Sequence, residues 1–165
     1  MSVGASDIKY YLTPNAEIHP LDSLGGVGYG NEVSAAIDGI FQDVSPAEAA
    51  AGKISYRAID IRNVNVTDTL YGAVVWISTE TSSTSSTVAL AYDSTGTQSI
   101  ANETSAPSGP ALTFTTPTTQ ATGIALGDIA PGVHKRIWLR RTVSASAAMT
   151  ASDAGALSTG GGTAS

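Results

Sequence analysis

The sequence predicts an all-β chain: an antiparallel β-sandwich, immunoglobulin-like or jelly-roll, with an extended N-terminal arm and one short helix. Three observations predict it. Ile54 to Asn63 and Val133 to Val143 alternate with the period of two that a half-buried strand requires. Strand-like runs recur between Gly-, Pro-, Ser- and Asp-rich turn signals, the spacing of a sandwich. Charged residues are only 13% of the chain, about half the usual ~25%. Thr, Ser, Ala and Gly replace them, and β-branched and small polar residues suit strands and turns.

Taken in order, Asp7 to Leu12 (DIKYYL) reads as a strand or extended arm that stops at Pro14, and the Gly-rich Leu21 to Asn31 as a loop. Gly26 and Gly28 give a G-x-G pair, but Asn31 and the lack of a following apolar helix break any phosphate-binding fingerprint. Ser45-Pro46-Ala47-Glu48 is a helix start, with Ser45 as cap, Pro46 at the first position and Glu48 closing a capping box. Gly52 stops the helix after one or two turns.

The strands follow. Ile54 to Asn63 places Arg57, Ile59, Ile61 and Asn63 on one face, and Tyr56, Ala58, Asp60 and Arg62 on the other. Leu70 to Ser78 is apolar on both faces, as for a central strand. Thr79 to Ser86 is a polar turn before a strand over Thr87 to Tyr92, and Asp93 to Pro110 is loop. Leu112 to Thr115 and Ala121 to Leu126 are weaker strands, and Gly127 to Gly132 is a turn. In Val133 to Val143, Val133, Lys135, Ile137, Leu139, Arg141 and Val143 share one face. His134, Arg136, Trp138, Arg140 and Thr142 share the other. From Ser144 the chain is Ala/Ser/Gly-rich. A weak closing strand over Ala154 to Thr159 stays open, and the final GGGTAS is expected to be flexible. This gives an arm over 1–42, a sandwich over 43–143 and a C-terminal segment over 144–165.

Several function classes lose ground on composition. Cysteine is absent, which removes thiol catalysis and thiolate metal sites. A net charge of −6 argues against a general nucleic-acid binder. No run approaches the ~20 apolar residues of a membrane span, and Met1 to Tyr10 lacks the pattern of a secretory signal. The two histidines, His19 and His134, lie in unlike contexts, and the positive charge of Lys135 and Arg136 disfavours a cation at His134. No G-x-S-x-G elbow or convincing carboxylate pair is present, so no catalytic residue, cofactor or metal is expected.

One feature departs from the average: Lys135, Arg136, Arg140 and Arg141 are half of all eight Lys and Arg. On a strand, Arg136, Trp138 and Arg140 form a guanidinium–indole ladder. Two readings stay foremost: contact with an acidic neighbouring subunit, or an outward face whose Arg stems cover Trp138 and bond neighbours such as Asp60; a nucleic-acid reading is poorer, because the net charge is acidic and the patch small. Together with Tyr10 and Tyr11 of the arm, these residues are the interface candidates.

A longer pattern joins these pieces. Asp43-Val44-Ser45-Pro46-Ala47-Glu48-Ala49-Ala50-Ala51-Gly52 runs into Tyr56-Arg57-Ala58-Ile59-Asp60-Ile61-Arg62-Asn63. Thr69-Leu70-Tyr71 with Val74-Val75-Trp76-Ile77-Ser78, and Thr104-Ser105-Ala106-Pro107-Ser108-Gly109, come next. Leu126-Gly127-Asp128-Ile129-Ala130-Pro131-Gly132 then leads into Ile137-Trp138-Leu139-Arg140-Arg141-Thr142-Val143. This ordered set, over most of residues 43 to 143, resembles small virion structural proteins of tailed bacteriophages. The resemblance implies a β-sandwich subunit displayed on or built into a virus particle, with no catalytic residues to carry over. The chain departs from it in the tail, where a well-formed closing strand is expected.

The resulting expectation is a non-enzymatic capsid decoration (cement) protein, homo-oligomeric and bound to the major capsid protein or tail proteins of a virion assembled in the host cytoplasm. It would contact neither membrane nor nucleic acid. A tail, baseplate or neck component is the first alternative. A carbohydrate-binding module for host attachment, using Tyr29, Tyr71 and Trp138, is the second.

Overall fold

The computed structural model describes residues 2–14, 22–108, 112–148 and 154–162. Its strands are Ile8–Leu12 (β1), Glu32–Val33 (β2), Lys53–Asn63 (β3), Leu70–Thr79 (β4), Ser86–Asp93 (β5), Ile124–Ile129 (β6), His134–Val143 (β7) and Ala156–Gly162 (β8). They form a five-stranded sheet, β2-β1-β3-β7-β5, and a three-stranded sheet, β6-β4-β8. The paired strands are antiparallel throughout, so the chain is the expected all-β sandwich. The one α-helix among the described residues, Pro46–Ala51 (α1), starts as its sequence dictates. The Ser45 hydroxyl accepts the Glu48 N–H, and the Glu48 carboxylate accepts the Ser45 N–H.

The alternation in β3 and β7 sets the core. Ile59, Ile61, Ile137 and Leu139, with Val88 and Leu90 of β5, face Leu70, Val75 and Ile77 of β4, Leu126 and Ile129 of β6, and Leu157 of β8. Each of these buried side chains stabilises the fold by about 1.5–3 kcal/mol relative to exposure. Ile37, Ile40 and Phe41 close the core at the end where β3 begins.

Two segments stitch the sheets together. After β2 the chain crosses over: Ala36 bridges Ala156, and Leu157 and Ile37 donate to Ala35 O and Gly155 O at 2.9 and 2.8 Å. On the opposite flank Thr115 exchanges two hydrogen bonds with Leu90 of β5, and Pro117 O accepts the Ile77 N–H of β4 at 2.8 Å. The expected strand over Leu112 to Thr115 reduces to this bridge. Residues expected as turn, Gly127 to Ile129, instead extend β6.

At the N-terminus the strand alternative over Asp7 to Leu12 is the one that forms, as β1, which pairs along β3 from Ile8↔Asn63 to Leu12↔Ile59. At the C-terminus the closing strand forms as β8, and one expectation is corrected. Glycines 160–162, expected to be flexible, lie in β8 and pair with β4. Gly161 is required there, since a Cβ would stand 2.8 Å from the backbone oxygen of Tyr71, while at Gly160 a Cβ would press on the end of the Gln120 side chain and on Trp76.

Candidate interaction surfaces

The register places the outward side chains of the five-stranded sheet in rows. Lys9, Arg62 and His134 form the first, Tyr11, Asp60, Arg136 and Asp93 the second, and Ala58, Trp138 and Ala91 the third. Over the second and third rows runs a strap, residues 22–30, beside a loop that follows β5. Gly25 bridges Ser99, Gly26 N–H donates to Gln98 O at 2.9 Å, and Ala58 N–H donates to Ser23 O at 2.8 Å. Gly25 has φ +92°, and a Cβ there would meet Gln98 O at 2.0 Å and the Trp138 ring at 2.9 Å. Only glycine lets the strap lie this close to the indole.

This cover corrects the outward-face reading of β7. Arg136 and Trp138 do share a face with Arg140, as alternation requires, but both are shielded from solvent within the chain itself. Arg136 donates from Nε and Nη2 to the two Asp60 oxygens, each at 2.8 Å. Its Nη1 and Nη2 also reach Gly26 O at 2.8 Å and Gly28 O at 2.7 Å. Burial pushes the Asp60 carboxyl above its ordinary value, with the Arg136 bonds and charge opposing. The reading in which Arg bonds Asp60 is the one that holds for this pair.

The other candidates scatter. Arg140 lies over the Phe114 ring at 5.0 Å, beside Tyr56. Arg141 points to the inner side, over Phe41 at 4.7 Å, and donates to Gln42 O at 2.7 Å. Lys135 is half-buried at the start of β7. Tyr10 also faces inward and bonds Thr159 at 2.9 Å, and burial raises its phenol above the ordinary value. Only Tyr11 belongs to an accessible cluster. Its ring and that of Tyr29 are 5.1 Å apart, Tyr29 and His134 are 5.1 Å apart, and Arg62 lies over Tyr29 at 4.6 Å. Arg62 also donates from Nε to Gly132 O at 3.1 Å. Arg62 and His134 were not among the sequence candidates. Strand register, which pairs Lys9↔Arg62↔His134, is the signal that unites them.

The proposed sugar platform does not assemble. Trp138 is buried, Tyr29 sits over the five-stranded sheet, and Tyr71 belongs to the three-stranded one. Among the described residues no three His, Asp or Glu side chains group as a metal site, and His19 lies outside those residues. His134 Nε2 is 4.0 Å from Asp60 Oδ1, an acid already bound by Arg136.

The two sheets differ sharply in charge. All eight Lys and Arg lie on β1, β3 and β7 of the larger sheet. The three strands of the smaller sheet carry one charge, Asp128. Val74 and Trp76 are half-buried on its outer side, opposite Gly160 and Ser158, and Tyr71 is 45% exposed. No protein family, curated protein or solved structure matches this chain.

Proposed function

We propose that the chain is a structural subunit of a tailed-bacteriophage virion. In this reading it is a capsid decoration protein, carried in many copies and stabilising the shell through contacts between subunits. The observation that supports this most is the outer side of the smaller sheet. It has no cation and one carboxylate, and it presents Tyr71, Val74 and Trp76 where a surface meant for water alone would carry Lys and Glu. Depletion of charge with aromatic residues present marks the centre of protein interfaces. The resemblance of the ordered segments to small virion proteins gives the setting. A rigid sandwich repeated many times multiplies weak contacts through avidity.

Quantitative mass spectrometry of purified virions tests this. On the order of hundreds of copies per particle are expected for a shell-covering subunit. Roughly a dozen or fewer, the count of a closed ring, would move the chain to the tail or neck. Absence from the particle would overturn the proposal.

A further inference from the structure

The strap closes the second and third rows of the larger sheet and reaches the first row, Lys9, Arg62 and His134, only through the Tyr29 ring. Val27 and Tyr29 of the strap are 77% and 37% exposed. Their backbone is tied on both sides. Gly26 O and Gly28 O accept from Arg136, Gly30 N–H donates to Leu12 O at 2.6 Å, and Leu12 N–H donates to Asn31 O at 2.8 Å. A group that docks at this corner meets a surface already ordered, which keeps the entropy cost of contact small.

Arg62 is the side chain there whose bonding is incomplete. Its Nε donates to Gly132 O at 3.1 Å, and its guanidinium lies 4.6 Å over the Tyr29 ring and 5.9 Å from that of Tyr11. These three contacts fix the plane of the fork. Its Nη1 and Nη2 have no hydrogen-bond or ion-pair partner among the described residues. The other cations are engaged or turned away. Lys9 holds Glu32, Arg136 holds Asp60, and Lys135 lies on the inner face of β7.

The corner carries no excess of positive charge. Glu32 and Asp60 balance Lys9 and Arg136, and Asp7 keeps its own charge while accepting from the Gly4 N–H at 2.8 Å and the Asn65 amide at 3.0 Å. A polyanion therefore finds no field to follow. What remains is short-ranged and directional: two N–H donors on one rigid fork, matched to one carboxylate. A phosphate dianion would gain one guanidinium and face Glu32 and Asp7. A sugar acid needs an open ring face to lie on, but Arg62 covers one face of Tyr29. Tyr11 and His134 stand against the same ring, each at 5.1 Å and at 61° and 66° to it. Beside the fork are two exposed aliphatic side chains, Val27 of the strap and Val133, next to the Gly132 that holds Arg62. They suit the apolar neighbours of an acid in a peptide.

We infer that this corner receives a single Asp or Glu side chain of a partner protein, its carboxylate on Arg62 Nη1 and Nη2 and its apolar neighbours against Val27, Tyr29 and Val133. Arg and Tyr at the centre of a small patch, with aliphatic side chains around them, is the composition of an interface anchor. The site lies on the larger sheet, apart from the uncharged face proposed for shell contacts, and so adds a second contact to that reading.

Amide NMR of the purified chain, titrated with a leucine–glutamate–leucine tripeptide blocked at both ends, tests this apart from any virion. Saturable shifts are expected at Val27, Tyr29, Arg62 and His134, with a roughly millimolar dissociation constant that weakens as salt rises. The same tripeptide with glutamine in place of glutamate should give none. Arg62→Lys keeps the charge but loses the fork and the bond to Gly132, and should weaken binding roughly tenfold or more. Val27→Ser changes an exposed side chain that the fold does not need, and should weaken it severalfold. The proposal is overturned if the acidic tripeptide gives no saturable shift, if the glutamine peptide binds equally, or if inorganic phosphate or glucuronate binds more tightly than the acidic peptide. It is also overturned if a folded Arg62→Lys binds as wild type does. Should that variant not fold, unchanged affinity in Val27→Ser decides against it in the same way. None of these outcomes depends on finding the chain in a virion, so the two proposals fail separately.

Discussion

Arg136 shows how far a single side chain's role departs from its sequence appearance. A guanidinium beside a tryptophan on an alternating strand reads as an interface hot spot, and the parity is right: Arg136, Trp138 and Arg140 do share one face. What decides their accessibility is the strap, and the strap is held by glycines and backbone carbonyls at 26 and 28 that leave no side-chain signal. Breaking a buried ion pair leaves an uncompensated charge, at a cost of about 3–5 kcal/mol. Arg136→Met should therefore lower unfolding free energy by about that amount and speed proteolysis within residues 22–30. Replacing Asp60 by Leu in the same chain should recover much of the loss, since an apolar pair needs no counter-charge. Urea unfolding of the three variants measures this. A single variant as stable as wild type would mean that Arg136 does not hold the strap.

At the scale of elements, the strands with alternating Ile, Leu and Val were legible, and β3 and β7 differ from their sequence bounds by one residue at one end. β8 was not. Ala156–Gly162 has one large apolar residue, Leu157, and ends in three glycines. Strand propensity therefore points away from it. It is a strand because its partners demand small residues: Trp76 and Tyr71 stand where side chains on Gly160 and Gly161 would go. The bulge in β4 has the same character, with Gly72 at φ +55° where the pairing with β6 and β8 shifts register. Deleting residues 159–165 removes the pairs Val75↔Thr159, Val74↔Gly160 and Tyr71↔Gly162 and the Tyr10 contact. At about 1 kcal/mol for each lost hydrogen bond, the melting temperature should fall by roughly 5–15 °C. Deleting residues 163–165 alone should leave it within about 2 °C, because no described pairing is lost. Equal melting of the longer deletion and wild type would show that β8 contributes nothing.

For the molecule as a whole, the two stitched flanks make each sheet depend on the other, so the sandwich is expected to unfold as one unit. Its response to acid then reflects all its carboxylates together. At the end where α1 meets β3, Lys53 bridges Glu48 and Glu103, and Glu103 also holds the buried Arg57. The Lys53 bond, followed by the Ser45 N–H, draws the Glu48 carboxyl from 4.5 down to about 2. Burial pushes Glu103 up, but its bonds to Lys53 and Arg57 outweigh that and leave it lowered. Asp93 is likewise lowered: burial opposes, and the Thr95 hydroxyl with the amides of Thr95, Gly96 and Gln98 prevails. A carboxylate with a lowered folded value binds fewer protons folded than unfolded. Its stabilisation is therefore complete above the unfolded value and is lost as pH falls toward the folded one. Asp7 is lowered too, by its bonds to the Asn65 amide and the Gly4 N–H; Asp60, raised by burial, acts in the opposite sense, one group against four. The urea midpoint should hold steady from pH 7 to about 5 and then decline through the window between 4.5 and about 2 in which Glu48 titrates. In Glu48→Gln the decline should be shallower, since one of the four lowered groups no longer titrates. A midpoint that stays level into that window, or a Glu48→Gln profile parallel to wild type, would show that the Lys53 cluster does not link protonation to folding. In the parallel case the acid limb comes from Asp93 and its loop after β5 or from Asp7, and Asp93→Asn would reveal the first by flattening the same curve.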